Sequence, residues 1–375
     1  MLSLNILFSL SVAAQFDIGV SNDPCNWTND AALCEDMCLE EYVKCVETCQ
    51  GDNSCMSNCN RDSVNCEQNC SITTGCDVTF LVVNTNQAAL FTWEVGTENR
   101  VETLQTFTDF FDAGSSADTS CSFIFKGEMY IIGGHGNSHQ ISVIRGCTLT
   151  PSGTLLPTAM EDPVCSTFNN GEDVMLYDGE AEFTAWRFNG SDVEAVADPE
   201  HWHDEGAMTH WKNDPIIIGG VGHETERFNG VYWEQEEDLP SSHESLGNAY
   251  FVEYHSAVNF MGDVYVFGGD TLYHGTSVFK FDGSWTRLEQ HLARLRYGHR
   301  SIVQGDRIYH IGGYRIEDDE ETFEEWSYNR EYDNFTITVS ETELLNYSFY
   351  PETFIVDAAD YAECNFRNFT VPMDE

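Results

Sequence analysis

From residue 78 onward, apolar positions fall in short runs of strand length, and the runs recur with the same punctuation. Five segments share one order. They are Phe123-Ile-Phe-Lys-Gly-Glu-Met-Tyr-Ile-Ile-Gly-Gly134, Phe168-Asn-Asn-Gly-Glu-Asp-Val-Met-Leu-Tyr-Asp-Gly179, Trp211-Lys-Asn-Asp-Pro-Ile-Ile-Ile-Gly-Gly220, Phe260-Met-Gly-Asp-Val-Tyr-Val-Phe-Gly-Gly269 and Ile302-Val-Gln-Gly-Asp-Arg-Ile-Tyr-His-Ile-Gly-Gly313. Each predicts a strand, a tight turn, a β-branched or aromatic strand and a glycine pair. The turn residues tolerate positive φ, and the glycines end a strand where backbones pass closely. The closing glycines, Gly134, Gly179, Gly220, Gly269 and Gly313, are 45, 41, 49 and 44 residues apart. A second turn signal follows three of the pairs: Phe188-Asn-Gly190, Phe228-Asn-Gly230 and Phe281-Asp-Gly283, with Trp233 and Trp285 after the last two. Four-stranded repeats of this length predict a β-propeller.

Ahead of the repeats the pattern changes to cysteine. Cys34, Cys38, Cys45 and Cys49 are followed by Cys55, Cys59, Cys66 and Cys70 in the same spacing. At about 100° per residue each quartet lies on one stripe of a helix, and Gln50-Gly51-Asp52-Asn53-Ser54 is turn chemistry. The pattern predicts an antiparallel helical hairpin over residues 25–75 with nested disulfides 34–70, 38–66, 45–59 and 49–55. Such a ladder persists where thiols are oxidised. Residues 1–14 agree: Leu2 to Ala14 is apolar, and Val12-Ala13-Ala14 fits a signal-peptide cleavage site. A secreted, extracellular location is expected. Sequons at Asn26, Asn69, Asn189, Asn334, Asn346 and Asn368 are then candidate glycan sites.

The glycine doublets, the tyrosine just before several of them and the tryptophan further on resemble the kelch-repeat family over roughly residues 76–364. Asp178-Gly179 departs from the doublet, and the first repeat lacks the tryptophan. The resemblance implies a mainly β, kelch-like propeller. At about 48 residues per blade, the span from 76 to 364 gives six blades, or seven if residues 340–364 form more than one strand. The sixth blade is expected to combine Val78–Val83 and Phe91–Val95 with a C-terminal strand, Glu352–Val356. Sharing a blade between the two ends closes the ring and removes exposed edges. Residues 365–375 are a tail without a lipid-anchor or retention signal. Among the remaining cysteines, a Cys76–Cys364 clasp is favoured over 25–76. Cys121 and Cys165 occupy matching places in neighbouring inner strands, so they pair with each other or one of them pairs with Cys147.

Charge narrows the partners. The chain has 63 acidic and 17 basic residues, a net charge of −46. Nucleic acid and anionic membranes are disfavoured, and no apolar run after the leader is long enough to span a bilayer. No cofactor is called for; a divalent cation held at the acidic surface is the one open candidate, and no EF-hand loop names a site. The acidic run Glu317–Glu321 reads as a solvated loop.

Propeller topology sorts the histidines. His135, His139, His223 and His274 are assigned to loops between the second and third strands of a blade. His201, His203, His243 and His291 fall in loops between blades, and His255 and His299 enter innermost strands from the same side. That loop face is the candidate binding surface, expected to gain charge on mild acidification. His201-Trp-His203-Asp204-Glu205 is the best local metal candidate. No Gly-x-Ser-x-Gly elbow, His-Glu-x-x-His or phosphate loop is present, so no catalytic residue is assigned. The expected function is extracellular binding, adhesion or matrix recognition of a protein or glycan through the loop face or the hairpin. Two alternatives remain: a copper-radical oxidase of the galactose-oxidase type, and a self-assembling matrix component.

Overall fold

The structure is a computed structural model. It describes residues 77–368 apart from 85–86, 95–102, 112–116, 118, 135–137, 180–182, 241–252, 270–274, 314–322, 330–331 and 341–350. The leader, the cysteine hairpin, Cys25, Cys76, His135, His243, His274, Asn26, Asn69, Asn346 and the acidic run at 317–321 lie outside the described residues.

Six antiparallel sheets form the six blades of a β-propeller. Blade 2 is β4 (Cys121–Phe125), β5 (Glu128–Ile132), β6 (Gln140–Arg145) and β7 (Thr148–Leu155). Blade 3 is β8 (Val164–Phe168), β9 (Asp173–Asp178), β10 (Thr184–Phe188) and β11 (Val193–Ala195). Blade 4 is β12 (Ala207–Trp211), β13 (Asp214–Ile218), β14 (Thr225–Phe228) and β15 (Trp233–Gln235). Blade 5 is β16 (Ser256–Phe260), β17 (Asp263–Phe267), β18 (Val278–Phe281) and β19 (Trp285–Arg287). Blade 6 is β20 (Arg300–Gln304), β21 (Arg307–Ile311), β22 (Phe323–Asn329) and β23 (Asn334–Ser340).

Blade 1 closes the ring as the sequence leads one to expect. Its innermost strand is the C-terminal β24 (Glu352–Val356), paired with β1 (Asp77–Asn84), then β2 (Gln87–Glu94) and β3 (Thr103–Phe107). A fifth strand, β25 (Phe366–Asn368), adds to the outer edge. Residues 340–364 thus supply one innermost strand among the described residues, and the count is six.

The apolar runs of β9, β13, β17 and β21 have no polar alternation because these second strands are buried on both faces. Phe80 and Val82 of β1 pack toward blade 6, against Tyr309 and Phe323. Leu81 and Val83 pack toward blade 2, against Ile131 and Leu149. Six such apolar clusters occupy the six interfaces between neighbouring blades.

The glycine doublets have two reasons to be glycine. Gly133 and Gly134 take φ of 69° and 89°, and Gly268 and Gly269 take 67° and 112°. A Cβ on Gly133 would also lie 2.8 Å from the Met160 carbonyl of the passing loop. The second glycine of each pair donates to that loop: Gly134 N–H to Met160 O and Gly269 N–H to Arg296 O. The repeated tryptophans clamp neighbouring blades, Trp233 Nε1 donating to Ala197 O and Trp285 Nε1 to Glu237 O, both at 2.8 Å.

Cys121 and Cys165 form a disulfide between blades 2 and 3, with Cα atoms 6.0 Å apart. Cys364 corrects the expected clasp: it pairs with Cys147, Cα atoms 5.4 Å apart, and not with Cys76. The reason is β25. After β24 the chain crosses to the outer edge of blade 1, which abuts blade 2, where Cys147 sits in the turn after β6.

Candidate functional site

The innermost strands β4, β8, β12, β16, β20 and β24 surround a central cavity of about 420 Å³. It is rich in hydroxyls, with Ser122, Ser166, Thr167, Thr209, Ser256, Ser301 and Thr353 on its wall. Its mouth is on the loop face, where each blade hands the chain to the next innermost strand.

A repeated backbone feature shapes that mouth. Thr119, Asp162, Glu205, Tyr254 and Gly298 each stand two residues before an innermost strand, and all have positive φ, at 50°, 54°, 59°, 57° and 62°. The chain arrives from an outer strand and must reverse into an inner one, and the left-handed conformation makes that corner. Only Gly298 takes it freely; the others carry strain of the order of 1–3 kcal/mol each. Successive corners are linked: Tyr254 N–H donates to Glu205 O at 2.8 Å, and Gly298 N–H to Tyr254 O at 2.7 Å. These bonds tie Glu205, Tyr254 and Gly298 into one arc of a collar, and Thr119 and Asp162 line the same opening.

The collar is acidic on one side. The Tyr254 hydroxyl donates to Glu205 Oε1, and Glu253 and Asp162 lie close enough to act on the same carboxyl. Burial, the largest influence, pushes the Glu205 carboxyl up to about 7; the Tyr254 hydroxyl opposes this, and Glu253 and Asp162 add to it. Between the ordinary glutamate range and pH 7 the folded protein therefore holds a proton that the unfolded chain has released. The cost of ionising Glu205 appears as pH rises through that window. We expect Glu205→Gln to gain stability relative to the parent when pH is raised from 5 to 8. Thermal unfolding of both proteins at the two pH values checks this, and a constant difference would contradict it.

Across the cavity, Arg300 Nη2 donates to Glu352 Oε1 and to the Ser120 carbonyl, both at 2.8 Å. Ser120 Oγ donates to the same carboxylate at 3.2 Å. Burial raises the Glu352 carboxyl, with Arg300 and the serines working against it. The Arg300 guanidinium is thereby committed to the wall.

The histidines of the expected binding face divide. His139 and His291 are exposed, and His201 and His223 half-buried. His203, His255 and His299 are buried at 1–2% exposure and do not present themselves to a partner. His203 is structural: its Nδ1 lies 2.9 Å from Gly219 O and its Nε2 2.9 Å from Glu226 Oε2. The carbonyl can only accept, so Nδ1 carries a proton, and one more proton bridges Nε2 and the carboxylate. His201 reaches the same oxygen at 3.5 Å. For His299, burial and then the charges of His310, Arg296, His255 and Arg300 hold the ring well below its ordinary range. Burial and Arg296 do the same to His310. These two rings stay neutral on mild acidification and supply none of the expected charge gain. Among the described residues, no group of three or more His, Cys, Asp or Glu has an arrangement that could hold a metal ion, and His201 and His203 converge on Glu226 instead.

Trp202 of the same loop meets Phe183, from the loop between β9 and β10, in an aromatic pair that the sequence reading passed over. Trp202 (47% exposed) and Phe183 (41% exposed) meet edge to face at 5.0 Å between centroids. Trp202 Nε1 donates to Gly179 O at 2.6 Å, and Phe183 has a φ of 54°. Asp162, Tyr254, Arg300, Glu352 and Glu226 were also missed, and Glu205 was singled out only as part of a metal candidate. A usable signal existed for the collar alone: the residue two before each innermost strand, seen once the repeats are aligned.

No protein-family model matches the chain, and no curated protein matches it. Among solved structures, one titled "Structure of YjhT" is similar, with 12% sequence identity and a TM-score of 0.48 over 67% of this chain and 91% of that one. The assignment as a six-bladed propeller stands on the strand order itself. No helix among the described residues is long and apolar enough to cross a membrane.

Proposed function

We propose that this chain is a secreted, kelch-type propeller that binds an extracellular partner on its loop face, at the mouth of the central cavity, without catalysis of its own. The observation that carries the reading is the collar: strained corners that hold Asp162, Glu205 and Tyr254 around one opening. Strain of this kind persists where the surrounding structure holds a site in place. The two disulfides, the leader and the sequons fit an oxidising compartment. Asn189 lies in the turn after β10, beside Gly190, which packs on Phe125 at the far end of β4, and Asn334 opens β23 after the corresponding turn of blade 6. Both are on the turn face, so glycans there would leave the loop face free. The copper-radical alternative calls for a cysteine linked to tyrosine, whereas the described cysteines are bonded to each other.

The reading predicts a division between faces. Asn189→Gln with Asn334→Gln should lower the mass of the secreted protein by two N-glycans and leave partner affinity unchanged. Phe183→Ala with Trp202→Ala should weaken binding by about tenfold or more. Affinity lost with the turn-face pair and kept with the loop-face pair would overturn the assignment.

A further inference from the structure

We propose that Asn334 carries an N-glycan whose role is to cover the open edge of β23, and that what it keeps away is a second copy of this chain. The proposal rests on the secreted reading above. It adds a task for one sequon and an association surface beneath it. In the transfer, the Asn334 amide nitrogen displaces a diphosphate from the anomeric carbon of a lipid-linked oligosaccharide and loses one proton.

The outermost strand of each blade ends a sheet, and a bare edge is a template for another strand. Five of the six blades blunt that edge. In blades 3 to 5 the edge strands β11, β15 and β19 have three residues each. In blade 1, β3 is covered by β25, itself three residues long. In blade 2, β7 contains Pro151 and shifts register against β6, and its Leu149 N–H donates to Phe110 O at 2.6 Å. Blade 6 has none of these devices. Its edge strand β23 runs seven residues, Asn334-Phe-Thr-Ile-Thr-Val-Ser340, and pairs with β22 along its whole length without a shift. It contains no charge, proline or glycine, and five of its seven residues are β-branched or aromatic. That is the composition that favours pairing between chains. Among the described residues no strand pairs with its outer side. At about 3.3 Å per residue it presents about 23 Å of uncharged edge.

The net charge of −46 does not guard this strip at short range. At physiological salt, charges are screened beyond about 8 Å, less than the length of the strip. Two copies of one strand can pair antiparallel about a two-fold axis, each meeting the same surface on the other. The sequon stands on that strand. Asn334 opens β23, and Thr336 is the hydroxyl residue that completes the signal; both are exposed. Phe335 between them turns toward blade 5, its ring centroid 5.6 Å from that of Phe260. By the two-residue period of a strand, Asn334 and Thr336 share the opposite face. An oligosaccharide at Asn334 is bulky and solubilising, and it stands at the end of the edge that lacks every other protection. Asn189 is the contrast: it precedes β11, which is too short to need cover.

The test uses the full secreted protein at physiological salt, with mass spectrometry of the Asn334 peptide and light scattering over a wide range of concentration. The parent should carry a glycan on Asn334 and stay monomeric. Thr336 offers three substitutions at one exposed position. Thr336→Ser keeps the sequon and should behave as the parent. Thr336→Ala removes it and should at least double the average mass at high concentration, as should Asn334→Gln. Thr336→Glu also removes the glycan but puts a charge on the edge, so it should stay monomeric. Asn189→Gln should stay monomeric too. Enzymatic removal of the glycans from the folded parent should give the same association without any substitution, which answers for a variant that fails to fold. Three results overturn the proposal: a secreted monomer with Asn334 bare, glycan-free forms that stay monomeric, or Thr336→Glu associating as Thr336→Ala does. A chain that is never secreted removes the reading on which the proposal rests, and the proposal with it.

Discussion

Deletion of residues 350–375 is expected to leave no folded, secreted monomer. The segment contains β24, the innermost strand of blade 1, which pairs with β1 from Thr79–Val356 to Val83–Glu352. It also contains Phe354 and Tyr361, at 2% and 3% exposure in the cluster between blades 1 and 2. Glu352 holds Arg300 and Ser120 at the hub, and Cys364 is the partner of Cys147. Without these groups the inner edge of β1 is unpaired, a template for association with another chain. The guanidinium of Arg300 loses its carboxylate, and the thiol of Cys147 loses its disulfide partner. Losses of this kind exceed the roughly 5–15 kcal/mol by which domains are stable. Size-exclusion chromatography and circular dichroism of the expressed truncation provide the check. A monomer with unchanged β-signal and melting temperature would show that the ring closes without its last strand.

The same closure separates what was legible in the sequence from what was not. The doublets, the turn residues between paired strands and the lengths of the repeats report local backbone demands, so blades 2 to 6 can be read directly. Blade 1 follows because a ring must close, and Glu352–Val356 is the strand left to close it. Nothing in the repeat announces β25, which belongs to no blade pattern, and without it the approach of Cys364 to Cys147 has no cause. The mouth was hidden for a different reason. Corners that need positive φ are usually marked by glycine, yet here Thr119, Asp162, Glu205 and Tyr254 fill four of the five. Their polarity reads as ordinary loop. The histidines misled in the opposite way: His203, His255 and His299, expected on the binding face, are buried. Burial depends on how blades pack, which spacing alone does not report.

Replacement of Glu226 by alanine is expected to cost about 3–5 kcal/mol, the usual penalty when one partner of a buried charged network is removed. Glu226 is 1% exposed and lies on β14. Its oxygens accept from the backbone N–H of Glu200 at 2.9 Å and of His201 at 3.0 Å, and from His203 Nε2 at 2.9 Å. Burial alone would raise this carboxyl; the bonds from His203, Glu200 and His201 outweigh it and hold the group below its ordinary range. Its contribution is therefore present above the ordinary glutamate range and lost as pH falls below it. Alanine leaves two backbone donors and a ring nitrogen without an acceptor under the loop that carries Trp202 and Glu205. Glu226→Gln keeps the shape and one acceptor oxygen, so its loss should be smaller. Glu324 on β22 repeats the device, accepting from the Ala293 N–H at 3.0 Å in the loop that leads into blade 6. The lesion at Glu226 should thus be local, with the other blades intact. Guanidinium unfolding measures it: the midpoint should fall with little change in slope. A loss under 1 kcal/mol, or equal losses for alanine and glutamine, would mean that the loop is held by its packing and not by this carboxylate.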